Sequence, residues 1–321
     1  MLPEAGVLTL QVAEKQRKER IDVYIVSRLP AISRSRIKTL IAEELITVDS
    51  VPIKPSHKVS PGETIEIKLK PRPQESYEPE NIPLKIIYED DNLAVIDKPA
   101  GLVVHPAQGN WSGTLVNALL WHNRELSKMI DGFRAGIVHR LDKDTTGLMV
   151  IAKDEFTHME LARQFSARTI DKKYQALVWG HFKKKTGMFD GNLGRHPKDR
   201  KLIAIIPEGK PSVTHYQVID EFELFSLVEI KLQTGRTHQI RVHFSHNGHP
   251  VFGDSVYGGR NARFGGLTPS QRIIAAEYLT IMPRQALHAK SLGFFHPVRK
   301  EDMVFDSDLP EDLAHLLEML R

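Results

Sequence analysis

The pattern of apolar and polar positions is organised around one interruption. Ile137-Val138 leads into a polar cluster, His139 to Thr146, and Leu148 to Ile151 leads out after Gly147. This predicts a strand, a loop and a second strand. Loops held by buried strands are where chemistry concentrates. Asp142, flanked by Arg140 and Lys143, is therefore a candidate reacting group. On pattern alone the plainer reading carries more weight: a tight connection in which Lys143, Asp144 and Thr145 are turn-makers.

Before this stretch, Val7 to Val12 alternates like an edge strand. Ile21, Ile25, Val26 and Leu29 recur at helical spacing and predict a helix over 14–29, ended by Pro30. Ser33 is a natural N-cap for a second helix with Ile37, Leu40 and Ile41 inward. Arg34, Arg36 and Lys38 decorate its first turns, where cations oppose the helix dipole. Either an anion outside the protein needs them, or they form a solvated face. Ile46 to Val48 and Thr64 to Leu69 alternate as strands, with Pro61-Gly62 turning between them. Residues 71–82 hold three prolines and little apolar content, which predicts a stiff, solvated linker.

Beyond the linker, Ile86 to Ile96 reads as strand, acidic turn, strand, and Thr114 to His122 as a short amphipathic helix. Phe156 to Phe165 is helical. Lys172 to Trp179 is a strand with Tyr174, Ala176 and Val178 on one face. Thr214 to Ile219 and Phe225 to Leu232 are strand-like. A helix begins near Thr237 as N-cap, Pro250 to Gly259 is a loop, Leu292 to Phe295 a strand, and Pro310 to Leu320 a final helix. No regular β-α-β alternation is visible, which argues for a mixed, largely antiparallel α+β domain.

A chain of 321 residues exceeds one small core and predicts two or three domains. It has no cysteines, which excludes disulfides, thiolate nucleophiles and Cys-based zinc sites. No run approaches about 18 apolar residues, so no membrane span is expected. The first residues lack the basic start and apolar run of a signal peptide, which makes the cytoplasm the expected location. Net charge is +4, and it is uneven. Residues 13–70 carry 12 Lys/Arg against 8 Asp/Glu, while residues 71–82 carry Arg72 against Glu75, Glu78 and Glu80. A basic first module fits a polyanionic partner.

Of 15 histidines, His238, His243, His246 and His249 cluster, and with Asp254 and His288 they open the alternative of a metal-dependent hydrolase. No His-x-x-x-His pair supports it. Phosphate-binding glycine loops and a serine nucleophile elbow are absent from the sequence, so nothing in it points to a nucleotide cofactor or to acyl transfer.

Two resemblances sharpen these readings. Arg20-Ile-Asp-x-Tyr, Ser33-Arg-Ser-x-Ile, Ile46-x-Val48 and Val59-x-Pro-Gly-Glu-x-Ile65 together resemble an S4 domain, a small RNA-binding module. Glu44 stands where that module usually has Gly, and Asp49-Ser50 where it has Asn-Gly. Over residues 84–300, His139-Arg-Leu-Asp-Lys-Asp-Thr-Thr-Gly147, Lys173-Tyr-x-Ala176, Thr234-Gly-Arg-Thr-His-Gln-Ile-Arg-Val-His243 and Leu287-His-Ala289 follow one another. Lys98-Pro-x-Gly-Leu-x-Val-His105 and Gly253-Asp-x-Val-Tyr-Gly-Gly259 agree with them. Together they resemble the ribosomal large subunit pseudouridine synthase family.

That resemblance implies a mainly antiparallel curved sheet with flanking helices, preceded by the S4 α/β module. The expected organisation is an extension over 1–12, the S4-like domain over 13–70, a linker over 71–82 and the catalytic domain over 83–321. It implies isomerisation of uridine to pseudouridine in large-subunit ribosomal RNA, with the helix 69 stem-loop as the expected target, and neither cofactor nor metal. Other ribosomal or transfer RNA uridines, and a non-catalytic RNA-binding assembly factor, are the alternatives. Asp142 is the implied catalytic carboxylate and Arg241 its charge partner. Tyr174 stacks on the base, Leu287 closes an apolar floor, and Arg140 fills the stack when the nucleotide is extruded. His139 and Arg236 hold backbone or phosphate. Arg34, Arg36 and Lys38 are the expected S4 contacts to RNA, and a monomer is the expected state.

Overall fold

The computed structural model describes residues 6–29, 32, 34–54, 56–69, 78–106, 111–122 and 136–321. It divides into two compact units, residues 1–76 and 77–321.

The first unit contains β1 (Gly6–Gln11), α1 (Ile21–Arg28), α2 (Arg34–Ala42), β2 (Ile46–Val48), β3 (Val51–Pro52) and β4 (Thr64–Leu69). Its antiparallel sheet runs β1-β4-β2-β3. Alternation puts Ile46, Val48, Ile65 and Ile67 on the inner face, against Ile21 and Ile25 of α1 and Ile37 and Leu40 of α2. The first helix is shorter than its periodicity predicts. Residues 19 and 20 are extended, because Arg20 bridges Lys58 and the Glu19 carbonyl accepts the Val59 N–H. Glu44 (φ 55°), Asp49 (φ 48°) and Ser50 (φ 66°) all adopt the left-handed conformation, so these turns keep their shape without glycine. Ser33 and residues 70–77 lie outside the described residues, and with them the predicted N-cap and most of the predicted linker. The end of that linker is tied to the second unit, although Glu78, Pro79 and Asn81 stay exposed. Asn117 donates to the Glu78 carbonyl, Glu80 N–H donates to Asn117, and Ile82 packs on the larger core. Residues 78–82 therefore belong to the second unit.

The second unit contains β5 (Lys85–Glu89), β6 (Leu93–Lys98), α3 (Leu115–His122), β7 (Thr146–Ala152), α4 (Glu155–Ala167), β8 (Asp171–Trp179), β9 (Thr186–Arg195), β10 (Ile203–Ile205), β11 (Lys210–Glu221), β12 (Phe225–Leu232), α5 (Gln239–His246), α6 (Pro269–Ile281), β13 (Leu287–Phe295), β14 (Asp302–Asp306) and α7 (Glu311–Leu320). One ten-stranded sheet runs β10-β9-β11-β12-β8-β13-β7-β6-β5, with β14 also on β13. β7 is buried along its whole length. Met149 and Ile151 enter the larger core, and Leu148 and Val150 enter a second core with Leu161 of α4, so both faces of the strand are covered. That double burial is why its sequence reads as an unbroken apolar run.

Among the described strands every pairing is antiparallel except β7 with β13, where His288 faces Thr146 and Ala289 faces Gly147. This parallel pair sets the starts of two strands side by side. It brings the polar loop before β7 next to residues 284–287. Gly147 makes the approach possible: its φ is +113°, and a Cβ there would lie 2.3 Å from the Ala289 carbonyl oxygen. Ile137 contributes only an isolated bridge to Ile151, not the strand that its apolar neighbour predicts.

Candidate active site

Asp142 lies in the loop ahead of β7, where its carbonyl accepts the Thr145 N–H at 3.1 Å and closes a turn. The loop is gripped from the protein side. Lys98, fully buried at the end of β6, donates from Nζ to the carbonyls of Pro99 (2.8 Å), Leu102 (2.9 Å) and Lys143 (2.9 Å). Burial pushes its ammonium down to about 7, although Asp144 pulls the other way. Arg284 donates to the Asp144 carbonyl at 3.0 Å and forms a two-pronged ion pair with Asp312. Thr146 Oγ1 meets His288 Nδ1 at 2.9 Å. His139 stacks on Phe165, and its Nε2 accepts the Val150 N–H at 3.1 Å. That bond needs a neutral ring, and burial holds His139 at about 3.

Arg241 enters from α5 and is 6% exposed. Its Nη1 donates to Asp142 Oδ2 at 3.1 Å. Its Nε and Nη2 grip the fully buried Asp254 at 2.6 and 2.9 Å. Asp254 in turn accepts the N–H groups of Val256 and Tyr257. Burial opposes the Arg241 charge, but the hydrogen bonds and charges of Asp254 and Asp142 outweigh it and raise its pKa. The guanidinium is thus permanently charged and aimed by one carboxylate at the other.

The apolar wall comes from the sheet. Leu287 of β13 pairs with Ala176 of β8, and Ala289 with Tyr174, so all four side chains share one face. Burial, then the charge of Asp142, raises the Tyr174 hydroxyl pKa. Asp142, Tyr174, Arg241 and Leu287 border one cleft of about 780 Å³. Arg140, Lys172 and Arg236 stand on the same cleft, which therefore surrounds one central carboxylate with cations.

Residues 92–246 match the model of the RNA pseudouridylate synthase family, and residues 19–65 that of the S4 domain. The ribosomal large subunit pseudouridine synthase D of Nitrosomonas europaea is 45% identical over 317 residues, covering 98% of this chain and 88% of that one. The synthase D of Escherichia coli K12 is 42% identical, covering 98% and 94%. The chain belongs to the RNA pseudouridine synthase family. Its α+β fold is also that of human RNA pseudouridylate synthase domain containing 4, with a TM-score of 0.54 and 27% identity over 74% of this chain and 92% of that chain.

The synthase brings together the catalytic-domain residues that its motifs single out: Asp142, Tyr174, Arg241, Leu287 and the exposed Arg140. One local expectation fails. The cap of α5 is His238, in a left-handed conformation, and not Thr237. The loop before α5 is shaped instead by Gln239, whose Oε1 accepts from Thr234 and from the Arg236 N–H. The histidines do not converge on a metal either, and among the described residues no three His, Asp or Glu side chains form such a cluster. His243 bonds Ser212 and Thr214, His249 stacks on Phe182, and Asp254 is committed to Arg241. In the S4 unit, Arg34 Nε donates to the fully buried Asp22 at 2.9 Å, while Arg36 is half-buried and Lys38 exposed.

Residue-by-residue reading of the sequence missed Asp254, His238 and Tyr257 as parts of this site. The signal was present: Gly253-Asp-x-Val-Tyr-Gly-Gly259 is a turn with an acid in it, and His238 stands inside the same run as Arg241. Nothing in the spacing says that the acid reaches the arginine.

Proposed function

We propose that this chain isomerises specific uridines of large-subunit ribosomal RNA to pseudouridine, with Asp142 acting on the sugar of an extruded nucleotide. The observation that carries this reading is the aim of Arg241: a guanidinium fixed by Asp254 holds the Asp142 carboxylate on a cleft with an apolar wall. The names of the similar synthase D proteins support the large-subunit target, and within it the helix 69 stem-loop is the proposed site.

The reaction breaks the N1–C1′ bond, turns the uracil and joins C5 to C1′; the C5 proton leaves, N1 gains one, and the composition is unchanged. An electron-poor C1′ next to a fixed carboxylate is the logic of glycoside cleavage. The leaving uracil delocalises its charge, so a second carboxyl acid is not required. Asp142 serves either by attack at C1′ or by removing the C2′ proton; both routes use its carboxylate, which Arg241 orients. Tyr174 stacks on the base and Leu287 supports it. Arg140 takes the vacated place in the RNA stack, since a base inside a stem is out of reach of the carboxylate.

The test is base-by-base pseudouridine mapping of ribosomal RNA from cells lacking this protein, complemented with the native chain or with Asp142→Asn. The native chain should restore modification in helix 69. The variant should bind RNA and turn over at less than about one percent of the native rate, on the order of 2.7 kcal/mol of lost transition-state stabilisation. An unchanged map in the deletion strain would refute the target, and substantial turnover by the variant would refute the role of the carboxylate.

A further inference from the structure

His238 is held in a way that the Asp142–Arg241 pair does not require. Its φ is 54°, uncommon for a residue with a side chain, and it makes no side-chain cap for α5 although it stands at the cap position. The turn serves instead to aim the ring. Nδ1 lies 2.7 Å from Tyr257 Oη. That oxygen accepts the Ile203 N–H at 3.1 Å, and donating its own proton to Nδ1 completes its bonding. A neutral ring that accepts at Nδ1 carries its proton on Nε2. Burial, with Arg241 and Arg140 adding to it against the pull of Asp142 and Asp254, keeps the ring below its ordinary pKa and so neutral. Tyr257 is itself fixed, with its ring 4.9 Å from the Arg241 guanidinium and edge-on to His238.

Nε2 stands 3.9 Å from Asp142 Oδ1, too far for a hydrogen bond. An oxygen about 2.8 Å from each atom would bridge them. The chemistry of the gap selects its kind. It must accept from Nε2–H on one side and donate to a carboxylate on the other, which a hydroxyl does and a uracil carbonyl cannot. Base and sugar are also sorted by the cleft, with Tyr174 and Leu287 forming the apolar wall and Asp142 and His238 the polar edge.

We propose that His238 reads the sugar of the target: its Nε2–H donates to the 2′-hydroxyl oxygen of the extruded uridine, and Tyr257 is the positioning residue that fixes the tautomer. C2′ is bonded to C1′, so a carboxylate that acts at either carbon has this hydroxyl beside it. The site thereby distinguishes ribose from deoxyribose. The inference rests on the function proposed above.

Two measurements test it. Nitrogen-15 NMR of the full chain at neutral pH should show His238 as the Nε2–H tautomer, and Tyr257→Phe should mix the two tautomers. An Nδ1–H ring in the native chain would overturn the proposal. Binding is then measured with stem-loop RNA carrying uridine or 2′-deoxyuridine at the single target position, in proteins that all carry Asp142→Asn so that no RNA is consumed. With His238 present, loss of the 2′-hydroxyl should weaken binding about tenfold. With His238→Ala added, the same loss should cost less than about twofold, and Tyr257→Phe should fall between. Equal losses with and without His238 would show that the histidine does not read this hydroxyl. Loss of all preference for the stem-loop over a scrambled RNA would instead count against the cleft as the uridine site.

Discussion

Arg241 is shared by two carboxylates, and the sharing gives them different tasks. Asp254 is fully buried and saturated, with two bonds from the guanidinium and two from backbone N–H groups. Asp142 receives one bond from the guanidinium and lines the cleft. Asp254→Asn should therefore lower isomerisation at saturating RNA on the order of a hundredfold while leaving RNA affinity within about threefold, because Arg241 loses its aim and not its presence. Single-turnover kinetics beside a binding titration will check this; a loss confined to affinity would mean that Asp254 serves the RNA surface. At this scale the sequence was legible wherever a motif names a residue and silent wherever two loops meet. Asp142 and Arg241 are 99 positions apart, and only the family resemblance paired them. Asp254 could be read as a metal ligand because an acid among histidines looks the same in sequence whether it faces an ion or an arginine.

Among the elements, the contact of β7 with β13 carries the site. Thr146 and Leu287 begin these two strands, so the loop and the apolar floor share one edge. Gly147→Ala should cost at least about 3 kcal/mol of stability in the second unit, since the new methyl meets the Ala289 backbone and the residue must keep a φ of +113°. Chemical denaturation followed by tryptophan fluorescence reads the unit directly, because all three tryptophans lie within it; an unchanged midpoint would show that the strands can part without loss. Strands with a dense apolar run were legible: β12 matches its predicted Phe225 to Leu232 span. β9 was not, because Gly187, Gly191 and Gly194 break its alternation and most of its residues are only partly covered. α6 carries its signal at its start, where Thr268 and Gln271 form a capping box and Pro269 stands in the first turn.

The whole molecule joins a small basic unit to a larger one that holds the cleft. In the first unit, Arg20 and Arg34 hold the Asp22 carboxylate down at about 2 against the burial that would raise it, so part of its positive charge maintains the fold. Residues 77–321 alone should isomerise saturating RNA at the native rate, with KM raised about tenfold near physiological salt and a shallower dependence of affinity on salt. An unchanged KM and salt slope would remove the S4 unit from substrate capture. Domain composition was thus the most legible level, since charge, proline content and spacing all change near residues 71–82, while the contacts of Glu78 to Ile82 with the larger core have no signal in that pattern. The grip of Lys98 and Arg284 on the loop has a further consequence at this scale. Both hold peptide oxygens, at Lys143 and Asp144, and every amino acid supplies a peptide oxygen. The contour of the reactive loop is therefore insulated from changes of side chain at its own tip, which leaves those positions able to vary with the RNA they meet. The intolerance is displaced to two buried cations behind the loop.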